Sequence, residues 1–115
     1  MCQLDLRIGS LTVGLEAAHI KWHTAVGPDA VENGLALCSI HHKLFDYGAF
    51  TLSAGNQQTI LVSEHVHGST GFEEVLLRHH GQKLAQPVHK SQVPKPEYVE
   101  WHMKEVFKSD ARPLT

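Results

Sequence analysis

Apolar and polar residues alternate at the start of the chain, with Leu4, Leu6 and Ile8 apolar, as in a short half-buried strand. Gly9-Ser10 is a turn signal, and Leu11 to Ile20 reads as an extended segment broken at Gly14. Thr24 to Glu32 is expected to be a loop, because Gly27-Pro28-Asp29 does not fit a regular element. The spacing then becomes helical. Asn33 is a strong N-cap, the run from Gly34 to Asp46 carries apolar residues at helical intervals, and Gly48 supplies a stop. Phe50 to Ser53 and Thr59 to Ser63 predict a hairpin around residues 54–58. Phe72 to His80 predicts a short helix ended by Gly81. Lys83 to Pro96, with three prolines, reads as irregular. Glu97 to Lys108 predicts a final amphipathic helix whose apolar residues are Tyr98, Trp101, Val106 and Phe107. No internal repeat or low-complexity segment interrupts this order, and the mixture is that of an α+β domain.

Composition narrows the picture. At 115 residues and 42% hydrophobic, the chain predicts one domain, 1–115, with one modest core. Domains of this size often need a staple. The two cysteines, Cys2 and Cys38, follow no signal-peptide pattern, and Cys38-x-x-His41 is a metal-ligand spacing that favours a reducing compartment over a disulfide. No apolar run approaches the roughly 18 residues of a membrane span, so a soluble, cytoplasmic protein without membrane partners is expected. The formal net charge of −2, with ten histidines counted neutral, does not advertise a nucleic-acid surface. Bound divalent metal would add positive charge where a phosphate sits. Such a chain is expected to bind DNA weakly and to draw affinity from another module.

The candidate chemistry lies between Leu15 and Phe50. On the expected helix, Cys38 and His41 are three apart and share a face, as do His42 and Asp46, four apart. The adjacent His41 and His42 stand about 100° apart around a helix axis, so the segment presents two ligand pairs in two directions. Cys38 and His41 suit a structural zinc, with Cys2 as third ligand. The fourth is not evident, which leaves open a three-ligand zinc with water or the loss of an upstream cysteine. His42 and Asp46 suit a divalent ion with open positions, such as Mg²⁺, Mn²⁺, Ni²⁺, Co²⁺ or Zn²⁺. A cation there would also relieve a carboxylate set at the negative end of a helix dipole. Imidazole, with a reference pKa of about 6.5, makes His19 a candidate general base. Asn33 could brace the loop or orient His19. Taken singly, each residue has an ordinary reading: Asn33 as a cap, Cys38 as a small buried hydrophobe, and Asp46 as a solvated helix end. His65, His67, His79, His80 and His89 read as structural or surface residues; His23 and His102, each after a tryptophan, could pack near the active site or contact phosphate, with packing the favoured reading. The joint spacing is what carries the functional reading.

That spacing is His19, thirteen residues, Asn33, eight residues, His42, three residues, Asp46. It resembles the HNH endonuclease family. The flanking AAHI, NGLALC and HHKLFD, and the closing WHMKEVF, are similar to the C-terminal nuclease domain of McrA-type, modification-dependent restriction enzymes, including those acting on phosphorothioated DNA. The resemblance implies a ββα-metal core of hairpin, loop and helix over about residues 2–50, with an extra hairpin and C-terminal helices in an extension over 51–115. It implies that His19 activates water, Asn33 holds the loop and His42 binds the catalytic metal, with Asp46 a further ligand in some branches. Cys2, Cys38 and His41 would hold structural zinc. It also implies a bacterial restriction system, DNA as substrate, a homodimer, and an upstream domain or protein that reads the modification. Two departures stand out. Ala18 occupies a position where many members carry a ligating Asp or His, and the chain starts at Met1-Cys2 where relatives have Cys-x-x-Cys, as if truncated at the N-terminus. The expected function is a metal-dependent DNA endonuclease of restriction type. The alternative is a catalytically silent, zinc-stapled DNA-binding or interaction module.

Overall fold

The computed structural model describes residues 5–54, 58–85 and 93–114. Among these residues the fold is α+β, with three separate antiparallel hairpins and three α-helices. β1 (Leu6–Ile8) pairs with β2 (Leu11–Val13) around a turn where Gly9 takes a φ of 61°. The sequence predicts a half-buried strand here. Instead Leu6, Ile8 and Leu11 are exposed, because among the described residues this hairpin pairs only with itself and no layer covers it. Leu4 lies outside the described residues.

The second hairpin joins β3 (Leu15–His19) to β4 (Gly34–Cys38). This corrects the expected helix from Gly34. The run Leu35-Ala36-Leu37 fits a period of two as well as a helical one, and pairing with β3 decides between them. Leu35 and Leu37 are buried while Ala36 is exposed. The helix starts later, as α1 (Ser39–Asp46), and Asn33 is not its cap. Helix α1 ends in a Schellman motif. Gly48 N–H donates to Phe45 O at 3.1 Å and Ala49 N–H to Leu44 O at 2.8 Å, with Gly48 at φ 80°.

The third hairpin is β5 (Phe50–Leu52) with β6 (Ile60–Val62), as expected, with residues 55–57 of its turn outside the description. The expected helix over Phe72 to His80 is split. α2 (Phe72–Val75) stops after one turn and a 3₁₀ turn covers Leu77–His79. Within the expected irregular stretch Lys83 to Pro96, residues 86–92 lie outside the description. Pro96 itself opens α3 (Pro96–Glu105), where a missing N–H costs nothing. Among the described residues, no helix is long and apolar enough to cross a membrane.

The core draws on both halves of the chain. Ala18, Ile20, Leu35, Leu37 and Phe45 meet Phe50, Leu52, Ile60, Val62, Leu76 and Val99. His102 sits fully buried within it, stacked on Phe45 at 3.7 Å with the rings nearly parallel. Its Nε2 donates to Phe45 O at 2.9 Å and its Nδ1 accepts from the Thr51 hydroxyl at 2.8 Å. Burial lowers its pKa to about 4, so it is a neutral core residue.

Candidate active site

The loop from Ile20 to Asn33 is built around one amide. Asn33 is buried, and its Oδ1 accepts from Lys21 N–H at 2.8 Å. Its Nδ2 donates to Lys21 O at 3.0 Å and to Pro28 O at 2.9 Å. These three bonds clip the two ends of the loop together in place of a strand ladder. Gly27 makes the clip sterically feasible, since a Cβ there would stand 1.9 Å from Lys21 O. The chain therefore returns Asp29 to His19. Asp29 Oδ1 lies 2.6 Å from His19 Nε2, and a carboxylate only accepts, so Nε2 donates. This hydrogen bond, with the charge of His19, holds the Asp29 carboxyl below its usual range. A nitrogen of His19, one of His23 and an oxygen of Asp29 fall within 4.8 Å of one another, a group able to hold a metal ion.

Across from the loop, α1 presents His42 and Asp46. They are four residues apart, and His42 Nε2 lies 3.3 Å from Asp46 Oδ2. The other ring nitrogen, Nδ1, is 2.7 Å from Glu16 Oε1 on β3. Partial burial raises the Asp46 pKa, and the charges of His42, His19 and Lys43 pull it back. One groove of about 440 Å³ is lined by His19, His23, His42 and Asp46 with Trp22 and Tyr47. His19 and the His42/Asp46 pair thus line one groove, together with the aromatic rings of Trp22 and Tyr47. The edge of Trp22 rests against Trp101 of α3, ring centres 5.9 Å apart, which ties the loop to the C-terminal helix.

His41 leaves the same turn of α1 in the other direction and is buried. Cys38 Sγ lies 3.0 Å from its Nδ1, although Cys38 belongs to β4 rather than to the helix. Its Nε2 donates to Val75 O at 2.6 Å. That fixes the tautomer with the lone pair on Nδ1, beside the thiol. A metal-binding histidine shows the same arrangement, its far N–H given to a carbonyl. Burial lowers the His41 pKa and keeps the ring neutral. The donor set fits a structural metal. Cys2, the third zinc residue read from the sequence, lies outside the described residues.

Sequence reasoning missed Glu16 and Asp29 as members of this neighbourhood, and held a place near the site for His23 only as its lesser reading. Asp29 carried only a turn signal. Glu16 gave none, except that it stands two residues from Ala18 and so leaves β3 on the same face. Among the other histidines, His80 is structural, accepting from Val62 N–H at 2.9 Å and donating to Pro113 O at 3.0 Å.

The fold is α+β, and its groove gathers histidines and carboxylates, next to a His/Asp group able to hold a metal ion. Residues 2–53, which contain all of these groups and less than half of the chain, match the sequence pattern of a family described as HNH endonuclease. Such nuclease domains act on DNA and in general use a divalent metal. No curated protein matches the chain.

Proposed function

We propose that the protein is a metal-dependent DNA endonuclease of the HNH type, with a ββα-metal core formed by β3, β4 and α1, and that it cuts in a restriction context like the McrA-type enzymes. The observation that carries this reading is the shared groove, lined both by His19 and by the His42/Asp46 pair. His42 Nε2 and Asp46 Oδ2, 3.3 Å apart, fit two ligands of one ion. A bound divalent cation there would polarise the scissile phosphate and stabilise the leaving oxygen. His19 takes the proton of the attacking water, and Asp29 fixes its ring and stabilises the charged form that results. Asn33 acts without touching substrate, by holding Pro28 O and so the neighbouring Asp29 within reach of His19. Cys2, Cys38 and His41 would hold a structural zinc joining β4 to α1, and His41 links α1 to the α2 region through its bond to Val75 O. The weakly acidic chain gains DNA affinity from an upstream modification-reading domain or protein and from a homodimer that cuts both strands.

The test is nicking of supercoiled plasmid, carrying phosphorothioate modification or none, with Mg²⁺, Mn²⁺, Ni²⁺ or Co²⁺. His19→Ala and His42→Ala are each expected to lower the rate by at least about a hundredfold. Full activity in either variant rejects the assignment, and DNA binding without cleavage under every ion supports the silent module instead. A second reading has a specific observation behind it. The His19/His23/Asp29 group could itself take the ion, which would occupy the base. His23→Ala separates the two: Mn²⁺ affinity is unchanged if His42 and Asp46 hold the ion and falls if the loop group does.

A further inference from the structure

Glu16 is an acidic residue in an otherwise apolar stretch, Leu15-Glu16-Ala17-Ala18, and the reaction above gives it no task. Its position is nevertheless well defined. In the β3–β4 ladder Glu16 stands opposite Leu37 and Ala18 opposite Leu35, so both leave the face of β3 that carries Leu35 and Leu37 on its partner strand. Ala18 is buried and has no donor atom. Two residues earlier on that face, Glu16 does have one. Each of its oxygens is engaged by α1: Oε2 accepts from the Ser39 hydroxyl at 3.3 Å, and Oε1 lies 2.7 Å from His42 Nδ1. Ser39 is the first residue of the helix, where the backbone dipole favours a negative charge.

His42 therefore has a carboxylate at each nitrogen, and the distances decide which carries the proton. A charge-assisted N–H to carboxylate bond runs to about 2.7–2.9 Å. The Glu16 contact, at 2.7 Å, meets that; the Asp46 contact, at 3.3 Å, does not. The proton of the neutral ring belongs on Nδ1, and the lone pair on Nε2 faces Asp46.

We propose that Glu16 is the positioning residue of the metal-binding histidine: it accepts Nδ1–H of His42, locks the ring, and turns the Nε2 lone pair toward an ion shared with Asp46. In this chain, a carboxylate that orients the ligand stands on the strand face where Ala18 supplies none. The inference rests on the reading of His42 as a metal ligand, and the experiment separates the two.

The probe is Mn²⁺, with affinity read from the electron paramagnetic resonance signal of the free ion. Glu16→Ala is expected to weaken Mn²⁺ binding roughly 10–100-fold, the usual effect of removing a partner behind a ligating imidazole. Glu16→Gln keeps an acceptor oxygen of the same length and is expected to fall between wild type and Glu16→Ala. Long-range ¹H–¹⁵N spectra of the metal-free protein should show His42 protonated on Nδ1 in wild type and Glu16→Gln, with that preference lost in Glu16→Ala. Unchanged affinity in Glu16→Ala, or an Nε2–H tautomer in wild type, overturns the proposal. So does a Glu16→Gln loss as deep as that of His42→Ala, which would make Glu16 a direct ligand. If His42→Ala leaves Mn²⁺ affinity intact, the parent reading fails as well. Glu16 is half-exposed, so Glu16→Gln is expected to fold even if Glu16→Ala is unstable.

Discussion

At the scale of single residues, histidine is the lesson of this chain, since one side chain type fills several different positions. His42 lines a groove, His41 faces a thiol, His80 bridges backbone groups and His102 is a core ring. The sequence assigned His102 to packing, because it follows a tryptophan on an amphipathic helix, and its burial agrees. Its partners, Thr51 and the Phe45 carbonyl, were not legible because they depend on how α3 crosses β5. The same burial makes a pH prediction. The folded-state pKa of about 4 lies below the unfolded value near 6.5, so the unfolded chain binds more protons between them. Stability is fully present above pH 6.5 and is lost as pH falls toward 4, by roughly 3 kcal/mol from this residue. His79, also held below its usual value by burial, acts in the same direction. Urea unfolding from pH 7 to 4 measures this, and His102→Leu should flatten the dependence while lowering stability at pH 7. Asn33 shows the converse limit. Its expected role as a helix cap fails, while the loop-bracing also expected of its amide takes the form of bonds across twelve residues to Lys21. Only the tertiary loop reveals that, and only the loop brings Asp29 to His19.

At the scale of elements, the β5–β6 hairpin and the closing helix were readable from their periodicity, although the helix ends at Glu105 and leaves Val106 and Phe107 beyond it. The segment Gly34–Cys38 was not. Its leucines satisfy both a strand and a helix, and a partner strand fifteen or more residues away settles the matter. The stop of α1 was readable from Gly48 alone, and the structure adds why nothing else fits. A Cβ at Gly48 would stand 2.1 Å from Val106 O, and φ is 80°. Gly48→Ala should therefore destabilise the fold by at least about 1–3 kcal/mol, the usual cost of a left-handed non-glycine residue before any steric clash is added. A chemical denaturation curve checks it; a change within about 0.5 kcal/mol of zero, as at ordinary surface sites, would contradict the geometry.

At the scale of the whole molecule, hydrogen bonds and shared core packing tie the candidate site to the extension. His41 donates to Val75 O, His102 to Phe45 O, and Lys108 N–H to Gly48 O at 3.0 Å. Leu76 and Val99 complete the core around Phe45 and Phe50. A fragment of residues 1–53, the stretch that carries all the candidate chemistry, should thus lack a folded near-ultraviolet circular dichroism spectrum and a cooperative melt, with or without Zn²⁺. A folded fragment would show that the extension is dispensable. The opposed directions of His41 and His42 also constrain how the chain can change length. Adding or deleting one residue inside α1 turns everything beyond it by about 100°, so the thiol-facing and groove-facing roles could not both survive. Length variation is thereby confined to the loops, and related chains should keep the interval from Cys38 to Asp46 fixed while the interval from His19 to Asn33 drifts.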